Sequence, residues 1–350
     1  MNGPAPTIAG IDLPALQAWF DRTVPGTGPL HVHMLQGGRS NLTYRLTDGT
    51  HDWVLRRPPL GELTPSAHDM AREYRVVAAL AGSGVPVAGA VTQCDDLTVL
   101  GVPFTVVEYV DGRTILTRQE LAALTDAEVH RCAFGLVEAL GRLHAVNPTA
   151  VGLGDFGRPQ GYLGRQVARW YDQWTRVATR ELIDLETLHD VLRESCPVES
   201  GTSIVHGDFR IDNAILDAED PAVVRALVDW EMATLGDPLA DLGLHLAYLD
   251  VAFDPVLGGD AAATSPRMPA PAALAAHYGE MTGRGVADLT FYLGLGYFKA
   301  AVIAEGIHAR HEQGHTVGEG FDLVGTAVPQ LAAAGLTAMR DGVAALGGGS

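Results

Sequence analysis

One short stretch limits the folds open to this chain more than any other. His206-Gly207-Asp208-Phe209-Arg210-Ile211-Asp212-Asn213 is followed, sixteen residues after the Asn, by the Asp of Val228-Asp229-Trp230-Glu231. Asp208 comes directly after a short apolar run, Ile204-Val205, which places it in a loop at the end of a strand. Ala214-Ile215-Leu216 can then run out, turn through Asp217 to Pro221, and return as Val223 to Val228. Such a hairpin brings Asn213 and Asp229 to the same end, where both can reach one cation. A carboxylate, an amide five residues on and a second carboxylate form the layout used in phosphoryl transfer. The first carboxylate takes or orients the proton of an attacking hydroxyl. The amide and the second carboxylate hold the metal that bridges nucleotide phosphates.

These residues, with Asp229-Trp230-Glu231 and the tail Leu235-Gly236-Asp237-Pro238-Leu239-Ala240-Asp241-Leu242, resemble the aminoglycoside phosphotransferase family. Within it they are most similar to the branch that includes kinase-like domains fused to acyl-CoA dehydrogenases. Leu143-His144-Ala145-Val146 and the run from Val151 to Pro159 resemble the same branch, and the similarity extends from about Leu35 to the C-terminal helices. The resemblance implies an α+β, bilobal protein-kinase-like fold, with a small N-terminal antiparallel-sheet lobe and a larger, mostly helical C-terminal lobe. It also implies ATP and Mg²⁺ as cofactors and a small-molecule hydroxyl as acceptor. Because the family holds many substrates, the acceptor stays open.

Composition narrows the partners. At 350 residues the chain can bury a sizeable core, and two lobes are a better expectation than one. A formal net charge of −18 argues against nucleic-acid and anionic-membrane surfaces, which attract a basic field. No basic flank precedes an N-terminal apolar run, so no signal peptide is expected. The most apolar region, Phe291 to Ile307, is interrupted by Lys299 and Glu305 and reads as a buried helix. Cys94, Cys132 and Cys196 are isolated, without zinc-ligand spacing or a disulfide framework, which suits a reducing cytoplasmic setting.

Hydrophobic periodicity and turn signals predict the elements. Asp12 caps a helix to Arg22; strands follow at His31–Leu35, Leu42–Leu46 and His51–Arg57; Ser66 caps a helix over Ala67–Leu80. Two more strands are expected near Val87–Gln93 and Val102–Val107. The first lobe is therefore assigned to residues 1–107, a hinge to 108–113 and the second lobe to 114–350. Thr125 and Glu128 form a capping box that opens a helix to Ala145. Further helices are expected at Tyr162–Arg180, Asp184–Ser195, Leu239–Val251, Ala270–Thr282, Asp288–Gln313 and Gly318–Leu346.

The nucleotide end departs from the kinase pattern. A kinase places a lysine on the third strand to hold phosphates, paired with a glutamate on the next helix. Here Lys299 is the only lysine and lies in the second lobe. Trp53-Val54-Leu55-Arg56 occupies the place of that strand, so Arg56 is the natural substitute and Glu73 its partner. An active branch that uses Arg competes with a non-catalytic nucleotide-binding pseudokinase, and the intact Asp208, Asn213 and Asp229 set favours the first. Gly37 and Gly38 suit a loop laid over phosphates, with Ser40 and Asn41 as added donors. The resemblance implies that Glu108 to Val110 offer backbone groups to the adenine ring. Arg57, on the opposite strand face, reads as surface or packing. His206 is expected to order its loop, Asp237 to cap the helix at Pro238, and Asp241 to brace the loop of Asp208. Arg210 is placed to balance charge or meet an acidic substrate, and Glu231 to help position the metal or the attacking group. His308, His311 and His315 read as a solvated helix face. Tyr162, Arg165, Arg169, Trp170 and Trp174 could line an acceptor pocket, although aromatic stripes at this spacing are more often core.

Overall fold

The computed structural model describes residues 8–35, 41–60, 69–315 and 320–347. The chain divides into two compact units: Met1–Asp111 with Arg225–Glu231, and Gly112–Val224 with Met232–Ser350.

The first unit is an antiparallel sheet with helices. Helix α1 (Leu13–Thr23) starts at Asp12, whose side chain accepts from the Ala15 amide at 3.0 Å. Strands β1 (His31–Met34), β2 (Leu42–Thr47) and β3 (Asp52–Arg57) pair in sequence, with Tyr44 opposite Leu55 and Leu46 opposite Trp53. Helix α2 (Met70–Leu80) follows, then β4 (Ala90–Cys94), the short helix α3 (Leu97–Leu100) and β5 (Phe104–Glu108). The sheet order is β1-β2-β3-β5-β4, all antiparallel.

Strand alternation sorts the side chains of β3. Trp53 and Leu55 enter a core with Phe20, Tyr44, Leu46, Phe104 and Val106, and Arg56 takes the other face. Burying each large apolar side chain contributes about 1.5–3 kcal/mol, which anchors the register that aims Arg56. Arg57 falls on the core side and is buried, not on the surface. Its guanidinium donates to the carbonyls of Gly10, Pro58 (3.2 Å) and Leu100 (3.4 Å).

Some boundaries differ from expectation. Helix α2 is capped by Asp69, which accepts from the Arg72 amide at 2.9 Å; Ser66 lies outside the described residues. Strand β4 begins at Ala90 because Gly89 turns its carbonyl to the Glu108 amide at 2.7 Å. Helix α3 was not anticipated: four residues are too few for a periodic signal, although Asp96 caps them.

The second unit is mostly helical. It begins with α4 (Arg118–Leu121), α5 (Asp126–Ala145), α6 (Tyr162–Val177) and α7 (Ile183–Glu194). The Thr125–Glu128 capping box is present at the head of α5. Strands β6 (Ser203–Val205) and β7 (Ala214–Leu216) flank the loop of Asp208. The turn after β7 is closed by the Asp217 amide on the Val223 carbonyl at 2.9 Å; β8 (Val224–Leu227) comes next in the chain, and its residues from Arg225 on belong to the first unit. Strand β9 (Thr234–Gly236), unpredicted, pairs antiparallel with β6. Then come α8 (Pro238–Ala247), α9 (Asp254–Leu257), α10 (Pro271–Thr282), α11 (Thr290–Glu312) and α12 (Val324–Asp341). Helix α8 stops short of Val251 because Asp250 accepts from the Ala252 amide and opens a 3₁₀ turn. The expected α+β division is present: an antiparallel sheet in one unit, helices dominating the other.

Candidate active site

In the first unit a charged cluster forms around Arg56. Its two terminal nitrogens reach Glu73 Oε2 at 2.9 Å and Asp229 Oδ1 at 3.0 Å. Asn41 donates its amide to the other Glu73 oxygen at 3.2 Å. One guanidinium thus faces Glu73 and Asp229, with Glu231 adding to the same negative field. Burial pushes the Glu73 carboxyl up to about 7, with Asp229 and Glu231 adding to the rise and Arg56 opposing it. Asp229 is the only non-glycine described residue with positive φ (65°). Asp tolerates this left-handed conformation better than most residues, but still at roughly 1 kcal/mol. Such backbone positions cluster where a side chain must be aimed.

In the second unit Asp208 is held from several sides. The Tyr248 hydroxyl donates to Oδ1; the Asn213 amide nitrogen donates to Oδ2 at 3.1 Å and to the Asp208 carbonyl at 2.8 Å. Arg210 Nε lies 3.4 Å from Oδ2, and its Nη1 pairs with Asp212 at 2.7 Å. Burial works to raise the Asp208 pKa, but Arg210, Lys299, the Tyr248 hydroxyl and His206 outweigh it, so the carboxyl titrates below its usual range.

One helix organises this loop. Asp241, His245 and Tyr248 are four and three residues apart at α8 and its C-cap, so they share a face. Asp241 accepts the amides of His206 (2.5 Å) and Gly207 (2.7 Å). His245 Nδ1 lies 3.3 Å from the Phe209 carbonyl; burial drops its pKa to about 4, so it is neutral and Nδ1 carries the proton. Tyr248 takes Asp208 itself. Behind Asp241, His144 bridges Asp241 (3.3 Å) to the Tyr278 hydroxyl (2.7 Å). Asp237 accepts from the Leu239 amide at 2.9 Å and so caps α8. Gly207 has φ of 83°, and a Cβ there would lie 2.7 Å from the Met232 carbonyl, so only glycine fits this close turn.

The other sequence candidates fall as follows. Gly37, Gly38 and Ser40 lie outside the described residues. Asn41 turns its amide to Glu73. The amides of Glu108 and Tyr109 are spent on Gly89 (2.7 Å) and Asp52 (3.1 Å), so of the 108–110 segment the Val110 amide remains to meet a ring. His206 Nδ1 accepts from the Asp208 amide at 3.3 Å, which orders the loop. Tyr162, Trp170 and Trp174 are buried, and Trp174 donates to Glu186 at 2.7 Å. Among the described residues no group of three His, Cys, Asp or Glu is arranged as a metal cluster, His308, His311 and His315 included. No described helix is long and apolar enough to cross a membrane.

Two residues at this loop carry no sequence motif. Tyr248 was signalled only by sharing the α8 face with Asp241. Lys299 donates to the Gly207 carbonyl and sits 5.5 Å from the Trp170 ring centre. Its only signal was to be the sole lysine, in the apolar first half of α11.

Mg²⁺ takes hard oxygen ligands and needs one or two from protein when it travels with phosphates. In the first unit Asp229 presents a carboxylate beside Arg56. In the second unit Asn213 spends its amide nitrogen on Asp208 and keeps its oxygen for another partner.

Comparison with known proteins places the chain in a family and a fold. A family model described as "Phosphotransferase enzyme family" matches residues 31–277. Human acyl-CoA dehydrogenase family member 11 is 32% identical over 334 residues, covering 93% of this chain and 43% of that protein. Mouse acyl-CoA dehydrogenase family member 10 is 35% identical over 288 residues, covering 81% of this chain and 27% of that protein. The chain therefore spans less than half the length of these relatives. A Ralstonia eutropha structure, named provisionally as an aminoglycoside phosphotransferase, superposes with a TM-score of 0.80 at 32% identity, covering 94% and 98% of the two chains. A thermostable mutant of an aminoglycoside phosphotransferase in complex with ADP and hygromycin B shares the fold, with a TM-score of 0.60 at 14% identity over 95% of this chain and 99% of that one. The fold is that of the kinase-like phosphotransferases.

Proposed function

The chain belongs to the phosphotransferase enzyme family, and we propose that it transfers the γ-phosphoryl group of ATP to a hydroxyl of a small molecule. The observation that carries this reading is the Asp208 carboxylate. It is ionised, aimed by Tyr248 and Asn213, and set in a loop pinned by Asp241. In the proposed reaction the acceptor oxygen bonds to the γ-phosphorus and the bond from that phosphorus to the bridging oxygen breaks. Asp208 receives the hydroxyl proton, and ADP leaves with the bridging oxygen.

Arg56 is proposed to hold nucleotide phosphates, with Glu73 fixing its guanidinium as the strand lysine and helix glutamate do elsewhere. Asn213 and Asp229 are proposed as magnesium ligands; when bound, Mg²⁺ offsets charge on the phosphate oxygens. Positioning and charge neutralisation then supply most of the rate. The −18 net charge and the absence of a basic field fit a small-molecule acceptor better than a nucleic acid.

The test is acceptor-dependent ADP release across a panel of hydroxyl compounds. Asp208→Asn keeps the side-chain volume and should retain nucleotide binding while turnover drops about 10²–10⁴-fold. Turnover near that of the unaltered protein would overturn the assignment.

A further inference from the structure

Every cationic side chain in this protein is arginine except one. The exception, Lys299, lies halfway along α11 and reaches the loop before Asp208. An ammonium is compact and can sit on a single carbonyl, whereas a guanidinium spreads its donors over a fork. We propose that Lys299 is a positioning residue for Asp208, orienting the Gly207 peptide and supplying the positive field beside that carboxylate.

The geometry is two-sided. The Gly207 amide donates to Asp241 Oδ1 at 2.7 Å, and the Gly207 carbonyl accepts from the Lys299 ammonium. An anion therefore holds the peptide on the N-terminal side of Gly207, and a cation holds the peptide on its C-terminal side. Gly207 is left-handed (φ 83°), and the two charges fix the peptides on either side of that turn. The second peptide leads directly into Asp208, so its tilt sets the direction of the carboxylate.

The surroundings argue for charge as well as shape. Lys299 donates to the Gly207 carbonyl and lies over the Trp170 ring of α6, and the charges that act on it are Asp208, Asp241 and Arg169. Burial lowers its pKa, Asp208 and Asp241 oppose the fall, and Arg169 adds to it. A neutral donor would have satisfied the Gly207 carbonyl without burying an ammonium, which is costly unless a neighbouring anion compensates. Asp208 is that neighbour.

This rests on Asp208 being the proton acceptor, and the test separates the two ideas. Lys299→Met removes both charge and hydrogen bond; Lys299→Arg keeps the charge and disturbs the geometry. Both should lower turnover. Lys299→Met should lower kcat about tenfold or more with the KM for ATP little changed, and Lys299→Arg should recover part of that loss. Unchanged kcat in folded Lys299→Met, or a loss confined to KM, with Asp208→Asn inactive, overturns this proposal and leaves the phosphotransferase reading standing. Active Asp208→Asn overturns that reading instead.

A second measurement decides the matter if Lys299→Met does not fold. With lysine carrying ¹³C at Cε, the protein gives a single lysine side-chain signal. Its titration should move down by about one unit in Asp208→Asn, since the ammonium loses its anion. An identical titration with and without Asp208 overturns the coupling.

Discussion

The cluster around Arg56 and the cluster around Asp208 solve opposite electrostatic problems. Around Arg56 one guanidinium serves both Glu73 and Asp229, and burial with neighbouring carboxylates pushes Glu73 up to about 7. Around Asp208 burial is outweighed: Arg210, Lys299, Tyr248 and Asn213 hold a carboxylate that stays ionised. The first arrangement leaves a carboxyl poised to change its charge; the second resists change. Substitutions should therefore act through cation and phosphate binding in the first cluster and through turnover in the second.

The largest effect should come from removing the carboxylate proposed to hold the cation. Asp229→Ala should weaken Mg²⁺·ATP and lower turnover together, by about 10²-fold or more. Asn213→Ala should be partly rescued by raising Mg²⁺, since a neutral ligand contributes less than a charged one. Turnover measured across a magnesium titration checks both. If neither variant alters the magnesium dependence, the metal site lies elsewhere.

Arg56→Ala comes next. It should weaken ATP more than adenosine, by about 1.5–3 kcal/mol, because the lost contacts are charge-assisted bonds to phosphate. Arg56→Lys should recover part of the loss, and Glu73→Ala should add little in the Arg56→Ala background because the two act as a pair. Additive losses, or equal losses for the two ligands, would reduce Arg56 to packing.

A smaller effect is expected where donors are redundant. Tyr248→Phe removes one hydrogen bond from Asp208 while Arg210, Asn213 and Lys299 remain, so turnover should fall by up to about tenfold, with nucleotide affinity unchanged. A loss as large as that of Asp208→Asn would show that the second cluster is not redundant.

The two clusters also differed in how far the sequence revealed them. Arg56 and Glu73 sit on a strand and the following helix, so strand alternation and helix phase place both. Asp208 and Asn213 came from one short motif. Tyr248 and Lys299 reach the same loop from 40 and 92 residues away, through hydrogen bonds that leave no local period. The α8 face carrying Asp241, His245 and Tyr248 was legible as a helix but not as a support, because its partners are backbone groups of another segment. Strand β9 escaped notice because three residues carry no alternation, and its pairing with Ile204 is long-range. Arg57 was legible only as surface or packing, because its buried carbonyl partners Gly10 and Leu100, which settle it as packing, lie far along the chain.

The last test probes the Arg56 cluster through pH and stability instead of turnover. Glu73 titrates near 4.5 in the unfolded chain and at about 7 in the folded one. The folded state thus holds a proton that the unfolded state releases between those values. Its contribution to stability is fully present below about pH 4.5 and is lost as pH rises through about 7. Glu73→Gln cannot release that proton, so the difference in melting temperature between the two proteins isolates the residue from every other titrating group. That difference should move against the unaltered protein by a few degrees between pH 5 and 8, on the order of 2 kcal/mol at most. Saturating Mg²⁺ with a non-hydrolysable ATP analogue should lessen the trend, because a cation beside Asp229 removes the repulsion that adds to the effect of burial. A difference that is flat without ligand would mean that Arg56 offsets the burial of Glu73, and the contrast between the clusters would fail. A slope unchanged by ligand would place the cation away from Asp229.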